Sequence, residues 1–122
     1  MVAKDAGGFV VLTGDIHRNY HLDVLADFED PGSAVVGVEF AGTSISSGRD
    51  GGETDAGLEL RKRANPHLIS ADLRRGYLRC RITHDLWTTQ VRAIDRISTL
   101  DHRAWTSHTL VTAPRQPGLQ VG

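Results

Sequence analysis

Residues 10–20, VVLTGDIHRNY, run from an unbroken apolar stretch into a turn that carries a carboxylate and an imidazole two positions apart. Phe9, Val10, Val11 and Leu12 put no polar residue on either alternating face. That is the pattern of a strand covered on both sides of a sheet, and it predicts a central strand. Asp15 and His17 follow where this strand leaves the sheet. On an extended backbone alternate side chains point the same way, so the two project to one side. A carboxylate oxygen beside a neutral imidazole nitrogen suits iron, manganese or zinc, and the carboxylate alone also suits calcium. Gly14 permits the sharp path or close approach such a turn needs, and ligand sites at the carboxyl ends of strands are usual in α/β proteins. The plain alternative has Asp15 capping a turn and His17 half exposed, and Gly-Asp-x-His is too short a pattern to decide between them.

Working outward, Tyr20, Leu22, Val24, Ala26 and Phe28 alternate with His21, Asp23, Leu25 and Asp27. A helix through Leu22, Leu25 and Ala26 fits loosely, and the alternation favours a half-buried strand over 20–28. EDPGSA, 29–34, is a turn, since Pro31 presets φ, and it leads into a strand over 35–40 antiparallel to the one before. The Gly- and Ser-rich stretch 42–52 has no period and reads as a loop. Thr54 is placed to cap a short helix over 55–64, acidic at its start and carrying Arg61, Lys62 and Arg63 at its end, as the helix dipole prefers. Asn65-Pro66 stops it. Leu78, Cys80 and Ile82 alternate with polar neighbours, as do Trp87, Thr89, Val91 and Ala93, so two strands flank a tight turn at THDL, 83–86. A last strand is expected over 105–111, and APRQPG, 113–118, reads as a tail.

A chain of 122 residues fits one domain, and 14 basic against 15 acidic side chains with 39% apolar residues is a globular composition. No basic excess points to nucleic acid. The longest apolar run, 9–12, is far too short for a bilayer span, and residues 1–8 lack the basic start and apolar core of a secretory signal, which leaves the chain where it is made. One cysteine excludes an internal disulfide and any multi-cysteine zinc cluster, so metal chemistry must rest on His and carboxylates. Cys80, on the apolar side of its alternating strand, is expected to fill the core.

VVLTGDIH, then LADFEDPGSAVVGVEFAGTSISSG, then NPHL and DLRRGYLRCRIT, in this order and spacing, resemble the C-terminal part of the alkaline phosphatase D family, the PhoD-like branch of the metallophosphoesterases, over about residues 10–119. The resemblance implies that 1–122 is a partial domain of that kind. It would be the C-terminal, mainly antiparallel β portion of an α/β four-layer metallophosphoesterase sandwich, with one short helix. It implies that Asp15 and His17 are late metal ligands, and that the cofactors are calcium and iron acting on small-molecule phosphoesters through a metal-activated water. The family's other ligands lie upstream of anything in this chain, and Cys80 sits in a different strand from the family's metal-bound cysteine. The twin-arginine signal of exported members is missing too, so localisation does not carry over. Two ligands hold a metal weakly. The chain is therefore expected to supply late ligands to phosphoester hydrolysis while being inactive alone, with the missing N-terminal part, or a second copy, as its partner, and with neither nucleic acid nor membrane among its partners. The alternative is a catalytically silent binding or assembly module that uses an uncovered sheet edge or the Arg-rich strand.

Other residues carry weaker signals. The hydroxyls of 43–47 could line a phosphate pocket, but Ser and Gly also make ordinary surface loops. Arg74, Arg75, Arg79 and Arg81 read as a solvated face with some pull on anions. His67 has no ligand role, His21, His84, His102 and His108 are scattered, and Trp87 and Trp105 are expected to pack rather than stack on a ligand. A strand like 9–12 needs neighbours, so the isolated chain is expected to be marginally stable or to self-associate.

Overall fold

Val38, Phe40, Val91 and Leu110 form a fully buried cluster, against which Val10, Leu78, Trp87 and Leu119 pack. These residues come from two sheets, because alternation turns every second side chain of each strand inward. The computed structural model describes residues 8–100, 102–114 and 116–121. The described residues form β1 (Phe9–Thr13), β2 (Asn19–Leu25), β3 (Val35–Ala41), α1 (Leu58–Ala64), β4 (Leu68–Asp72), β5 (Arg75–Ile82), β6 (Trp87–Ile94), β7 (Ala104–Ala113) and β8 (Gln116–Val121). One four-stranded sheet runs β1-β3-β2-β4 and the other β5-β6-β7-β8. Every pairing is antiparallel except β1 with β3. The fold is thus mainly antiparallel β with one short helix, as expected.

His21 joins the two sheets. It is fully buried on β2, its Nδ1 lies 2.6 Å from Ser70 Oγ, and its ring packs against Phe40 of its own sheet and His108 of the other. Burial, and then the neighbouring His108, push its pKa down to about 3, so the ring is neutral. Asp23 ties the sheets a second time by accepting the Leu119 N–H at 2.8 Å.

Several elements differ from the sequence expectation. The apolar run 9–12 is an edge strand, paired with β3 alone among the described residues, and Val11 and Leu12 are exposed. Apolar residues on both faces gave the signature of a central strand, but the strand's free edge and outer face meet no cover here. β2 ends at Leu25, and Phe28 lies outside it, exposed, its ring edge-on to His67. The helix begins at Leu58 with Gly57 at its N-cap and no side-chain cap; Thr54 only reaches Asp55, whose carboxylate accepts the Gly57 N–H. β4 was not anticipated, and the supposed tail 113–118 contains the start of β8. Leu78, Cys80 and Ile82 do share a face, but only Leu78 reaches the core; Cys80 is exposed, so it is not core filler. Trp87 packs on the core cluster with its Nε1–H donated to Thr89, as expected. The opening segment read for a signal lies, but for Gly8, outside the described residues. Among them no helix is long and apolar enough to cross a membrane.

Candidate functional site

Past Thr13 the backbone reverses instead of continuing extended. Asp15 and His17 both take positive φ, 73° and 58°, and the Ile16 N–H bonds back to Gly14 O at 2.9 Å. Non-glycine residues rarely adopt this left-handed conformation, Asp and His more readily than most, and such strain collects at functional sites. The two side chains are therefore brought together by a tight turn, not by strand alternation. Both are exposed, and both line one open cavity of about 540 Å³.

The opposite wall is the loop 42–52, braced from beneath by Arg75. That side chain is only 3% exposed, which corrects the reading of the four arginines as one solvated face. Its Nη1 donates to Ser44 Oγ at 2.9 Å and to Ser47 O at 3.0 Å, and its Nη2 donates to Leu73 O. Ser44 and Ser47 are thus spent on the loop's own frame. Gly48, with φ 84°, lies where a Cβ would meet Arg75 Nη1 at 2.8 Å and His17 Nδ1 at 3.0 Å. Only glycine fits that position, so the loop closes directly against both side chains.

Two further contacts fix the loop ends. The buried Asn19 accepts the Thr43 N–H at 3.2 Å. Asp50 accepts the N–H groups of Ile97 and Ser98 and the Ser98 hydroxyl, and the Ile97 bond leads in holding its carboxyl below the usual range. Beside the cavity, fully buried Asp72 takes a two-pronged bond from Arg74 at 2.9 and 2.8 Å, and the Arg74 guanidinium sits 4.6 Å from the Trp105 ring centre.

The cavity's charges are mixed. Arg18 lines it, bonded to Tyr20 at 3.2 Å and 3.8 Å from Asp55, a carboxylate that Arg61 holds at 2.8 Å. Burial, and then the like charge of Arg18, lower the affinity of Arg75 for its proton. As metal donors Asp15 and His17 are of suitable type and open to the cavity, but no group of three or more His, Cys, Asp or Glu able to hold an ion occurs among the described residues. The pair fits part of a coordination shell and no more. His67, His84, His102 and Cys80 line other parts of the surface. Arg18 has no place in the sequence reading of the site, and Arg75 reads there as part of a solvated face. Their signals were an arginine directly after the Asp-x-His turn and another opening the Arg-Gly-Tyr strand.

Comparison with known proteins bears on this geometry. The family model for PhoD-like phosphatase matches residues 1–91. Alkaline phosphatase D of Bacillus subtilis (strain 168) is 33% identical over 118 residues, covering 97% of this chain and 20% of that protein. A solved structure of PhoD superposes with a TM-score of 0.91 at 33% identity, over 97% of this chain and 23% of that one. The chain thus spans about a fifth of the length of the curated relative it matches.

Proposed function

The chain belongs to the PhoD-like phosphatase family, and from that premise we propose that it contributes one wall of a site for phosphoester hydrolysis, with Asp15 and His17 as late metal ligands. The observation that carries this reading is the shared cavity at the end of β1, where a carboxylate and an imidazole face two arginines. By resemblance the metals are calcium and iron. A bound metal at such a site draws charge from the phosphoryl oxygens and lowers the pKa of a coordinated water. This chain's own residues do the rest of the positioning. Arg75 fixes the loop against which His17 rests, Gly48 keeps that contact close, and the αL turn aims Asp15 and His17 at one volume.

Two protein ligands orient a cation poorly, so the working site takes its remaining ligands from elsewhere in a PhoD-like protein. The free edge of β1 supports that reading, since Val11, Leu12 and the nearby Ile16 are 37%, 57% and 49% exposed. In the complete protein the two sheets described here would be inner parts of a four-layer sandwich. The test is to assay the purified chain with calcium and iron against p-nitrophenyl phosphate and a bis ester. No turnover is expected from the chain alone. Turnover lost in Asp15→Ala would show the site to be complete without a partner and overturn the shared-site reading.

The same exposed edge favours a second reading, a silent assembly module. Metal-free protein found in a defined complex supports the module, whereas near-stoichiometric metal with turnover supports an enzyme.

A further inference from the structure

Two guanidinium groups line the cavity shared by Asp15 and His17, and neither has a carboxylate to itself. Among the described residues Arg18 makes an ion pair with Asp55 at 3.8 Å, and Arg61 already engages that carboxylate at 2.8 Å. Arg75 forms no ion pair among the described residues, although it is 97% buried if its 3% exposure is subtracted from the whole. An arginine buried without a counter-charge is costly, so its setting calls for an explanation.

The hydrogen bonds of Arg75 supply part of one. A guanidinium has five N–H donors, and Arg75 spends Nη1 on Ser44 and Ser47 and one Nη2 hydrogen on Leu73. That leaves a second Nη2 hydrogen and Nε–H, and among the described residues the Nε has no acceptor in spite of its burial. The fork is held rigid by the loop carbonyls while part of its donor capacity and all of its charge stay uncompensated. A second arginine, Arg18 on the Asp-x-His turn, lines the same cavity, and its like charge disfavours the protonated form of Arg75. Arginine forks match tetrahedral oxyanions by placing paired N–H groups against two oxygens, and a doubly charged anion offsets two cations at once.

We propose that Arg18 and Arg75 form an oxyanion subsite that holds the phosphoryl group of a phosphomonoester in this cavity, beside the Asp15–His17 pair. The assignment deepens the reading given above and rests on it only for the identity of the anion. Arg75 is the fixed element and Arg18, half exposed and weakly paired, is the one that adjusts. Asp15 opposes an anion when no cation is present, so binding to the metal-free chain is weak but saturable.

The test is a backbone amide NMR titration of the 15N-labelled chain in EDTA at constant ionic strength, with phenyl phosphate and, separately, inorganic phosphate. Saturable shifts are expected at Ile16, Arg18, Gly48 and Arg75. Arg18→Gln, a change at a half-exposed side chain outside the core, is expected to weaken phenyl phosphate binding by about tenfold, as loss of one charge-assisted bond implies. Arg75→Lys keeps the charge, loses the fork, and is expected to weaken it similarly. Non-saturable shifts, shifts centred outside this cavity, or an unchanged affinity in Arg18→Gln would overturn the subsite. Binding of inorganic phosphate without phenyl phosphate would overturn the phosphoester assignment. Because EDTA removes metals, anion binding that persists in His17→Gln while that variant loses a metal signal separates this proposal from the metal-ligand reading.

Discussion

Mild acidification is expected to destabilise this protein through one residue, His21. Its ring sits between the sheets with Nδ1 on Ser70 and Nε2 without a hydrogen-bond partner among the described residues, and its pKa falls to about 3 from an ordinary value of 6.5. In the unfolded chain the same imidazole is solvated and takes up its proton near pH 6.5. The folded value is the lower one, so the contribution of His21 to stability is fully present above pH 6.5 and is lost as the pH falls from there toward 3. At pH 5 the loss is about 2 kcal/mol, being roughly 1.5 pH units at about 1.4 kcal/mol each, and it requires only that the folded value lie well below 5. With a urea m-value of about 2 kcal/mol/M, the midpoint drops by about 1 M between pH 7.5 and pH 5. Urea melts of wild type and of His21→Leu/Ser70→Ala, which removes both polar partners together, measure the effect. The double variant should keep most of its midpoint over that interval. If it shows the same pH slope as wild type, the buried imidazole is not what couples this fold to protons.

Two further outcomes follow from backbone and edge geometry. Gly76 has φ 152°, and a Cβ there would stand 1.9 Å from the Arg92 carbonyl oxygen, so Gly76→Ala should part β5 from β6 and cost roughly 3 kcal/mol or more in a thermal or urea melt. Val11→Lys on β1 places charge on an exposed edge and should shift the chain toward monomer in sedimentation; an unchanged distribution would mean that β1 does not carry the self-association.

The turn at 29–34 led to the strand over 35–40, and alternation over 78–82 and 87–94 led to two more, with Val38, Phe40, Leu78 and Val91 facing the core on a period of two. Local pattern failed where burial was decided at long range. Leu68, Ala71 and Asp72 are buried in β4 through pairing with β2, and the aspartate is tolerated there because Arg74 satisfies it, none of which shows in LISAD. Gln116 and Gly118 looked like tail residues until β7 supplied a partner and Asp23 anchored Leu119. The exposed position of β1 is likewise decided by strand pairing, which its own sequence does not show. At the site, the Asp-x-His pair was legible as chemistry while its geometry was not, since alternation cannot anticipate left-handed residues on both sides of Ile16. Arg75 reads as a solvated residue because its sequence neighbours, Arg74, Arg79 and Arg81, suggest a charged surface, whereas its burial depends on a loop some thirty residues earlier, with Ser44 removed from it by 31 positions.

The proposed hold of Asp15 and His17 on a cation can be measured without turnover. Paramagnetic Mn2+ added in small amounts to the 15N-labelled chain broadens amides near wherever it binds. Broadening should centre on residues 14–18 and on Gly48 across the cavity, and it should fade in both Asp15→Asn and His17→Gln. Broadening centred on other carboxylates and indifferent to both substitutions would contradict a shared cation site at the end of β1.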